Sequence, residues 1–220
     1  MSRVFRVGAA QMGPLQRSDT RQVSVDRMLA LLDQANRDGC NLVVFPELAL
    51  TTFFPRWNID DRAEIDAYFE YEMPNAATQR LFDRARECGI AMYIGYAEIA
   101  EADGARHRFN TSILIDREGG IVGKYRKTHL PGHARHDPER AFQHLEKKYF
   151  EVGDTGFRVW RTMGGLFGMC ICNDRRWPES YRVMGLQGVE MVLLGFNTPS
   201  ANSQRPEEGP ELRTFHNDLS

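Results

Sequence analysis

Two short apolar segments, residues 4–10 and 42–45, bracket a stretch whose hydrophobic side chains recur at helical spacing. In residues 22–37 these are Val25, Met28, Leu29, Leu32 and Ala35, which would line one buried helix face, and Gly39 stops the run. The segment Leu42-Val43-Val44-Phe45 is apolar without alternation, as a strand covered on both faces must be. A strand, a helix and a strand in that order imply a right-handed crossover between neighbouring strands. The chain therefore begins as an α/β sheet carrying a helical layer.

The remaining pattern does not continue as a pure doubly wound sheet. A helix fits residues 76–88, ended by Gly89, and a strand fits residues 91–96. Residues 111–115 and 121–125 then come as two strands in direct succession, and Arg117-Glu118-Gly119-Gly120 between them predicts a hairpin. Strands fit residues 157–161, 166–172 and 189–193, with a helix over 178–186. Crossover units mixed with hairpins are explained by two stacked sheets, each covered by helices on one face. Residues 129–148 are polar and histidine-rich and read as a long loop with some helix, a length that tends to be functional. Residues 211–220 look like the start of a helix without a stop signal, so the expectation is one domain over residues 1–220, incomplete at its C-terminus.

The apolar share of 42% and charged share of 26% fit a globular chain and argue against disorder. A formal net charge of −2 gives no basic field for nucleic acid. No apolar run approaches the roughly 20 residues of a membrane helix, and Met1-Ser2-Arg3-Val4-Phe5-Arg6 lacks the apolar region of a signal peptide. Cys40, Cys88, Cys170 and Cys172 are too sparse for a disulfide framework and fit reduced thiols in the cytoplasm.

Three strand ends carry chemistry. Cys172 closes the apolar run of residues 166–172 and precedes a polar turn and a helix, so its thiol is placed at a sheet edge beside backbone N–H groups that lower its pKa and bind an oxyanion. Most cysteines are inert and buried; Cys170, two residues earlier on the same strand face, is read that way. Glu47 ends the strand of residues 42–45 just after Pro46, where partial desolvation raises a carboxyl toward the range of a general base. Lys127 comes after the strand of residues 121–125 and shares the face of Tyr125, which places a compact cation where an oxyanion would develop. Singly, Glu47 reads better as a solvated glutamate just past the strand, and Lys127 can be part of an ordinary basic turn. Together the three give a nucleophile, a base and an oxyanion stabiliser.

Arg175 and Arg176 lie just past the cysteine, and a planar, always charged guanidinium suits a substrate carboxylate. One is expected on a carboxylate and the other in a structural pair; two surface arginines are the plainer reading. His129 and His144 flank the long loop and could hydrogen-bond a ureido or carboxylate group, and Asn197 and Thr198 could line the far side of the pocket. His133, His136 and Asp137 lack the convergent spacing of a metal site, so neither a metal nor another cofactor is expected.

Phe45-Pro46-Glu47, the segment from Lys124 to Leu130, and Cys172-Asn173-Asp174-Arg175-Arg176-Trp177-Pro178-Glu179 resemble, in order, the glutamate, lysine and cysteine motifs of the nitrilase superfamily. The resemblance runs along the whole chain. It is strongest to the N-carbamoyl-D-amino acid amidohydrolase branch, with its Asn-Asp-Arg-Arg sequence after the nucleophile. The resemblance implies a four-layer αββα sandwich, a homotetramer, Cys172 as nucleophile, Glu47 as general base and Lys127 as oxyanion stabiliser, aided by the backbone N–H of Asn173. Glu146 is similar in placement to the family's second glutamate, which holds the lysine. The implied reaction is hydrolysis of N-carbamoyl-D-amino acids to D-amino acid, ammonia and carbon dioxide. The alternatives are a related amidase, nitrilase or β-ureidopropionase-like enzyme, a non-catalytic truncated sandwich serving as an assembly module, and a redox protein using Cys170 and Cys172, which disulfide geometry disfavours.

Overall fold

The computed structural model describes residues 4–139 and 143–198. The helix expected over residues 211–220 lies outside them.

The crossover unit is β1 (Val7–Ala9), α1 (Arg21–Arg37) and β2 (Leu42–Val44), with β1 parallel to β2. Thr20 caps α1 by accepting from the backbone N–H of Val23. A short helix α2 (Arg62–Asp66) precedes α3 (Gln79–Cys88), which ends on Gly89 in the left-handed conformation, φ 62°. β3 (Ala91–Ala102) runs parallel to β2, and β4 (Ala105–Ile115) and β5 (Ile121–Arg126) add antiparallel strands, giving the order β1-β2-β3-β4-β5. After α4 (Glu146–Tyr149), a second sheet forms from β6 (Val159–Thr162), β7 (Gly165–Ile171) and β8 (Met191–Gly195) in the order β6-β7-β8. β7 is parallel to β8, and α5 (Pro178–Leu186) makes the crossover.

Strand alternation sorts the side chains into layers. Met92, Ile94, Ile113 and Ile115 face outward and pack with Val25, Met28 and Leu32 of α1 and Leu81, Phe82 and Ala85 of α3. Ala91, Tyr93, Leu114 and Tyr125 face inward and meet Phe167, Met169, Ile171 and Leu193 of the second sheet. On the far face of β7, Gly168 lies under Met184 of α5. The result is helix, sheet, sheet, helix, the four-layer αββα sandwich expected from the sequence. A third cluster, Leu48, Phe53, Phe54, Phe69, Leu145, Tyr149 and Phe150, closes the inner face beyond Ala97 and Ile99 of β3.

One hairpin departs from the sequence expectation. β3 runs on to Ala102 and β4 starts at Ala105, so the strands expected over residues 91–96 and 111–115 are halves of one long hairpin. Its turn is Asp103-Gly104, both left-handed, φ 52° and 75°. Charged side chains at Glu101, Arg106 and Arg108 hide the apolar pattern of this arm. Strands also begin or end within a few residues of expectation elsewhere: β1 is shorter than residues 4–10, and α3 starts at Gln79 rather than at residue 76.

Candidate active site

Glu47 is fixed by what lies on either side of its backbone. A Cβ built on Gly95 of β3 would stand 2.8 Å from the Pro46 oxygen and 2.9 Å from Glu47 Cα. One built on Gly195 of β8 would stand 3.0 Å from the Glu47 nitrogen. Two glycines, one from each sheet, therefore leave a slot for the segment after β2, and Leu48 turns out of it with φ 50°.

Lys127 stands just past β5. Its N–H donates to the Asn110 carbonyl at 2.8 Å, and its carbonyl accepts from Gly153 at 2.9 Å. Its Nζ donates to Glu47 Oε1 at 2.7 Å and to Glu146 Oε2 at 2.6 Å, and all three side chains are 0% exposed. Asn110 Nδ2 donates to the same Glu47 oxygen at 2.8 Å. Glu146 opens α4, and its Oε1 is 2.8 Å from His144 Nε2. Glu47 Oε2 is buried without a hydrogen bond to any described residue.

Burial and charge set the protonation states. Burial pushes the Glu47 carboxyl above its usual range, against the pull of Lys127. Burial acts the same way on Glu146, but Lys127 and His144 outweigh it and hold that carboxyl low. Burial would lower Lys127, but the two carboxylates keep it charged and raise its pKa. The site thus holds an ammonium, an ionised Glu146 and, in Glu47, a carboxyl whose proton is retained to higher pH than usual.

Cys172 closes the arrangement at the end of β7. Its φ of 46° is a left-handed conformation rare for a residue with a side chain. This turn breaks the strand alternation: Cys172 packs against the inter-sheet cluster with Met169 and Ile171. Cys170, with the alternation of Gly168, belongs to the α5 side and is fully buried. The expectation that both cysteines share a face is corrected by that backbone turn. Burial, and then the Glu47 carboxylate, push the Cys172 thiol up to about 12, with Lys127 opposing. At neutral pH the group is a thiol that needs a base, and the lowering of its pKa expected from a helix N-terminus is reversed by burial. The cysteine opens a 3-10 turn, Cys172–Arg176, and α5 starts only at Pro178.

Asp174, to which sequence reasoning gave no role, ties this turn down. Its carboxylate is 0% exposed. It accepts from Tyr125 Oη at 2.8 Å, the Ile171 N–H at 3.0 Å and the His129 N–H at 3.0 Å, and lies 2.8 Å from His129 Nδ1. The ring of His129 is stacked on Trp177 and Phe157, and its carbonyl accepts from Asn173 Nδ2 at 3.1 Å. In the sequence it shows only as a short acidic side chain two positions past the cysteine, with nothing to mark its remote partners.

The two arginines separate. Arg175 is 4% exposed, donates from Nη1 to the Cys172 carbonyl at 2.9 Å, and lies over the Phe196 ring. Arg176 is exposed. Asn197 and Thr198 are half-buried just past β8. Glu47, Lys127 and Glu146 are joined directly and His144 through Glu146, whereas His129 and Asn173 belong to the Asp174 network.

A neutral thiol, a carboxylate with one open oxygen and a buried ammonium can together form and resolve a covalent acyl intermediate. The fold and this set define a protein of the carbon–nitrogen bond hydrolase type. A carbon-nitrogen hydrolase from Helicobacter pylori superposes with a TM-score of 0.77 at 25% identity, over 96% of this chain and 66% of that one. Residues 6–219 match the carbon-nitrogen hydrolase family, and the chain belongs to that family. It is 29% identical to N-carbamoylputrescine amidase of Solanum lycopersicum over 94% of its own length and 62% of the relative's. It is also 29% identical to citrullinase of Francisella tularensis, over 87% and 59%. The chain thus spans less than two thirds of the length of the relatives it matches. Among the described residues no helix is long and apolar enough to cross a membrane.

Proposed function

We propose that the protein hydrolyses the ureido C–N bond of N-carbamoyl-D-amino acids to D-amino acid, ammonia and carbon dioxide through an acyl intermediate on Cys172. The observation that carries this chemistry is the dry Glu47–Lys127 pair at two strand ends, braced by Glu146 of α4, beside the strand end that presents Cys172. Glu47 Oε2 takes the thiol proton as sulfur attacks the ureido carbonyl. Lys127, with the Asn173 backbone N–H, stabilises the oxyanion, and Glu146 holds the ammonium in place. The C–N bond then breaks, and the leaving nitrogen takes the proton from Glu47. A water molecule, losing a proton to Glu47, attacks the acyl carbon; the thiolate leaves and recovers that proton, and the carbamic acid released then breaks its remaining C–N bond to give carbon dioxide and the second amine.

A ureido carbonyl is supported by the names of two relatives, N-carbamoylputrescine amidase and citrullinase. Arg176, exposed beside the elbow, is assigned to the substrate carboxylate, with His129, His144, Asn197 and Thr198 around the pocket. Arg175, which donates to the Cys172 carbonyl, is assigned to support of the turn. A second reading keeps the chemistry but takes a carbamoyl substrate without an α-carboxylate. It is favoured by the N-carbamoylputrescine amidase relatives.

The test is ammonia release from an N-carbamoyl-D-amino acid, its L-isomer and N-carbamoylputrescine, with Cys172→Ala as control. Release from the D-isomer, abolished in Cys172→Ala, is expected. Release from N-carbamoylputrescine alone selects the second reading. Release that persists in Cys172→Ala overturns both.

A further inference from the structure

Asn110 takes no part in the proposed reaction steps, yet it touches Glu47, Lys127 and Glu146. It lies on β4 opposite Ala97 and is 0% exposed. Its carbonyl receives the Lys127 N–H at 2.8 Å. Its side-chain amide donates to Glu47 Oε1 at 2.8 Å and reaches Glu146 Oε2 at 3.5 Å. Both oxygens are the ones that Lys127 Nζ also contacts. We propose that Asn110 is a positioning residue of this site: its amide holds Glu47 through Oε1, so that Oε2 is the oxygen that exchanges the proton with Cys172.

Three observations carry this. The orientation of the amide is fixed, because a flip would set its oxygen against two carboxylate oxygens. In the orientation present, Asn110 Oδ1 is buried without a hydrogen bond to any described residue. An unsatisfied buried acceptor is costly, so nothing in its own interest selects this placement; the carboxylates do. Glu47 Oε2 is the other buried acceptor left open at the site, which makes the two oxygens of Glu47 inequivalent: Oε1 has two donors and Oε2 has none. The donated N–H also stabilises the ionised form of Glu47 against burial and against the charge of Glu146.

The inference rests on Glu47 being the base for Cys172, and its test does not need the substrate. The pH dependence of Cys172 alkylation by iodoacetamide, tracked by peptide mass spectrometry, reads how readily the pair gives up its proton. In Asn110→Ala the midpoint is expected to rise by about one pH unit, with a tenfold slower reaction on the acid side, the size of one hydrogen bond to a charged group. Asn110→Asp keeps the shape, loses the donor and adds a like charge, so its midpoint should rise at least as far. A purely steric role predicts instead that Asp behaves as wild type while Ala does not. Wild-type midpoints in both variants would overturn the proposal, and so would failure of both to fold, judged by circular dichroism, since that assigns Asn110 to the core. If Glu47→Gln leaves the wild-type profile unchanged, it is the underlying assignment of the base that fails.

Discussion

Replacing Gly95 by alanine should separate catalysis from stability. The added Cβ would sit 2.8 Å from the Pro46 oxygen, 2.9 Å from Glu47 Cα and 3.1 Å from the Leu48 nitrogen. All three are backbone atoms, so no side chain can swing away. Ordinary contact begins near 3.4 Å, and the segment must retreat by about 0.6 Å. Glu47 is held at 2.7 Å by Lys127 and 2.8 Å by Asn110, so the retreat stretches both bonds. A misplacement of about 1 Å costs roughly a hundredfold in rate, and the expected loss in kcat is about 10- to 100-fold. Overpacking costs about 1–3 kcal/mol, offset by about 0.4–1 kcal/mol from the stiffer unfolded chain, leaving a net loss of about 1–2 kcal/mol. Gly185 of α5 is the control, since a Cβ there meets nothing within 4 Å; Gly185→Ala should be neutral or slightly stabilising. The assays are ammonia release and urea unfolding. A Gly95→Ala protein with wild-type kcat would refute the argument that the two glycines position Glu47.

Lys127→Met should destabilise the protein by about 3–5 kcal/mol at neutral pH, because it leaves Glu47 and Glu146 buried without their cation; the penalty in urea unfolding should shrink as acid protonates the two. Burial raises Glu47, so the base is lost as pH falls through a value above the ordinary carboxyl pKa of about 4.3. The acid limb of kcat/KM should therefore lie above that value, and should disappear in Glu47→Gln along with the activity. Glu98 receives hydrogen bonds from Thr111, Lys124 and Arg126. Burial pushes its carboxyl up, but Arg126 and Lys124 outweigh burial and hold it low. Its contribution is present above the unfolded pKa and lost as pH falls through the lower folded value. Glu98→Gln should cost about 2–3 kcal/mol at pH 7, less than a fully dry pair because Lys124 is partly exposed, and the acid-unfolding curve should flatten.

How each residue is constrained decides whether the sequence discloses it. Glu47, Lys127 and Cys172 stand at the ends of apolar strands, and a strand end is legible because burial stops there. Helices α1, α3 and α5 were legible from spacing and from Gly39, Gly89 and Pro178. Residues 97–110 were not, since the hairpin arm carries Glu101, Arg106 and Arg108 on a strand that leaves the core, and Asp103-Gly104 alone marks its turn. Asn110 sat one residue outside the expected strand, and a buried polar residue has no periodic signature: its partners, Glu47 and Glu146, are 63 and 36 positions away. Asp174 was hidden for the same reason, as its partners come from β5, the start of the long loop and β7. The left-handed turn at Cys172 that sets it apart from Cys170 could not be read from strand alternation, which gave both cysteines one face.

The central claim is that Cys172 forms the covalent intermediate with Glu47 as its base. The direct measurement is acid quenching during turnover of an N-carbamoyl-D-amino acid, then peptide mass spectrometry of all four cysteines. A substrate-derived adduct on Cys172, absent from Cys40, Cys88 and Cys170 and strongly reduced in Glu47→Gln, is predicted. Turnover with no adduct on Cys172, or an adduct that forms equally fast in Glu47→Gln, would contradict the account.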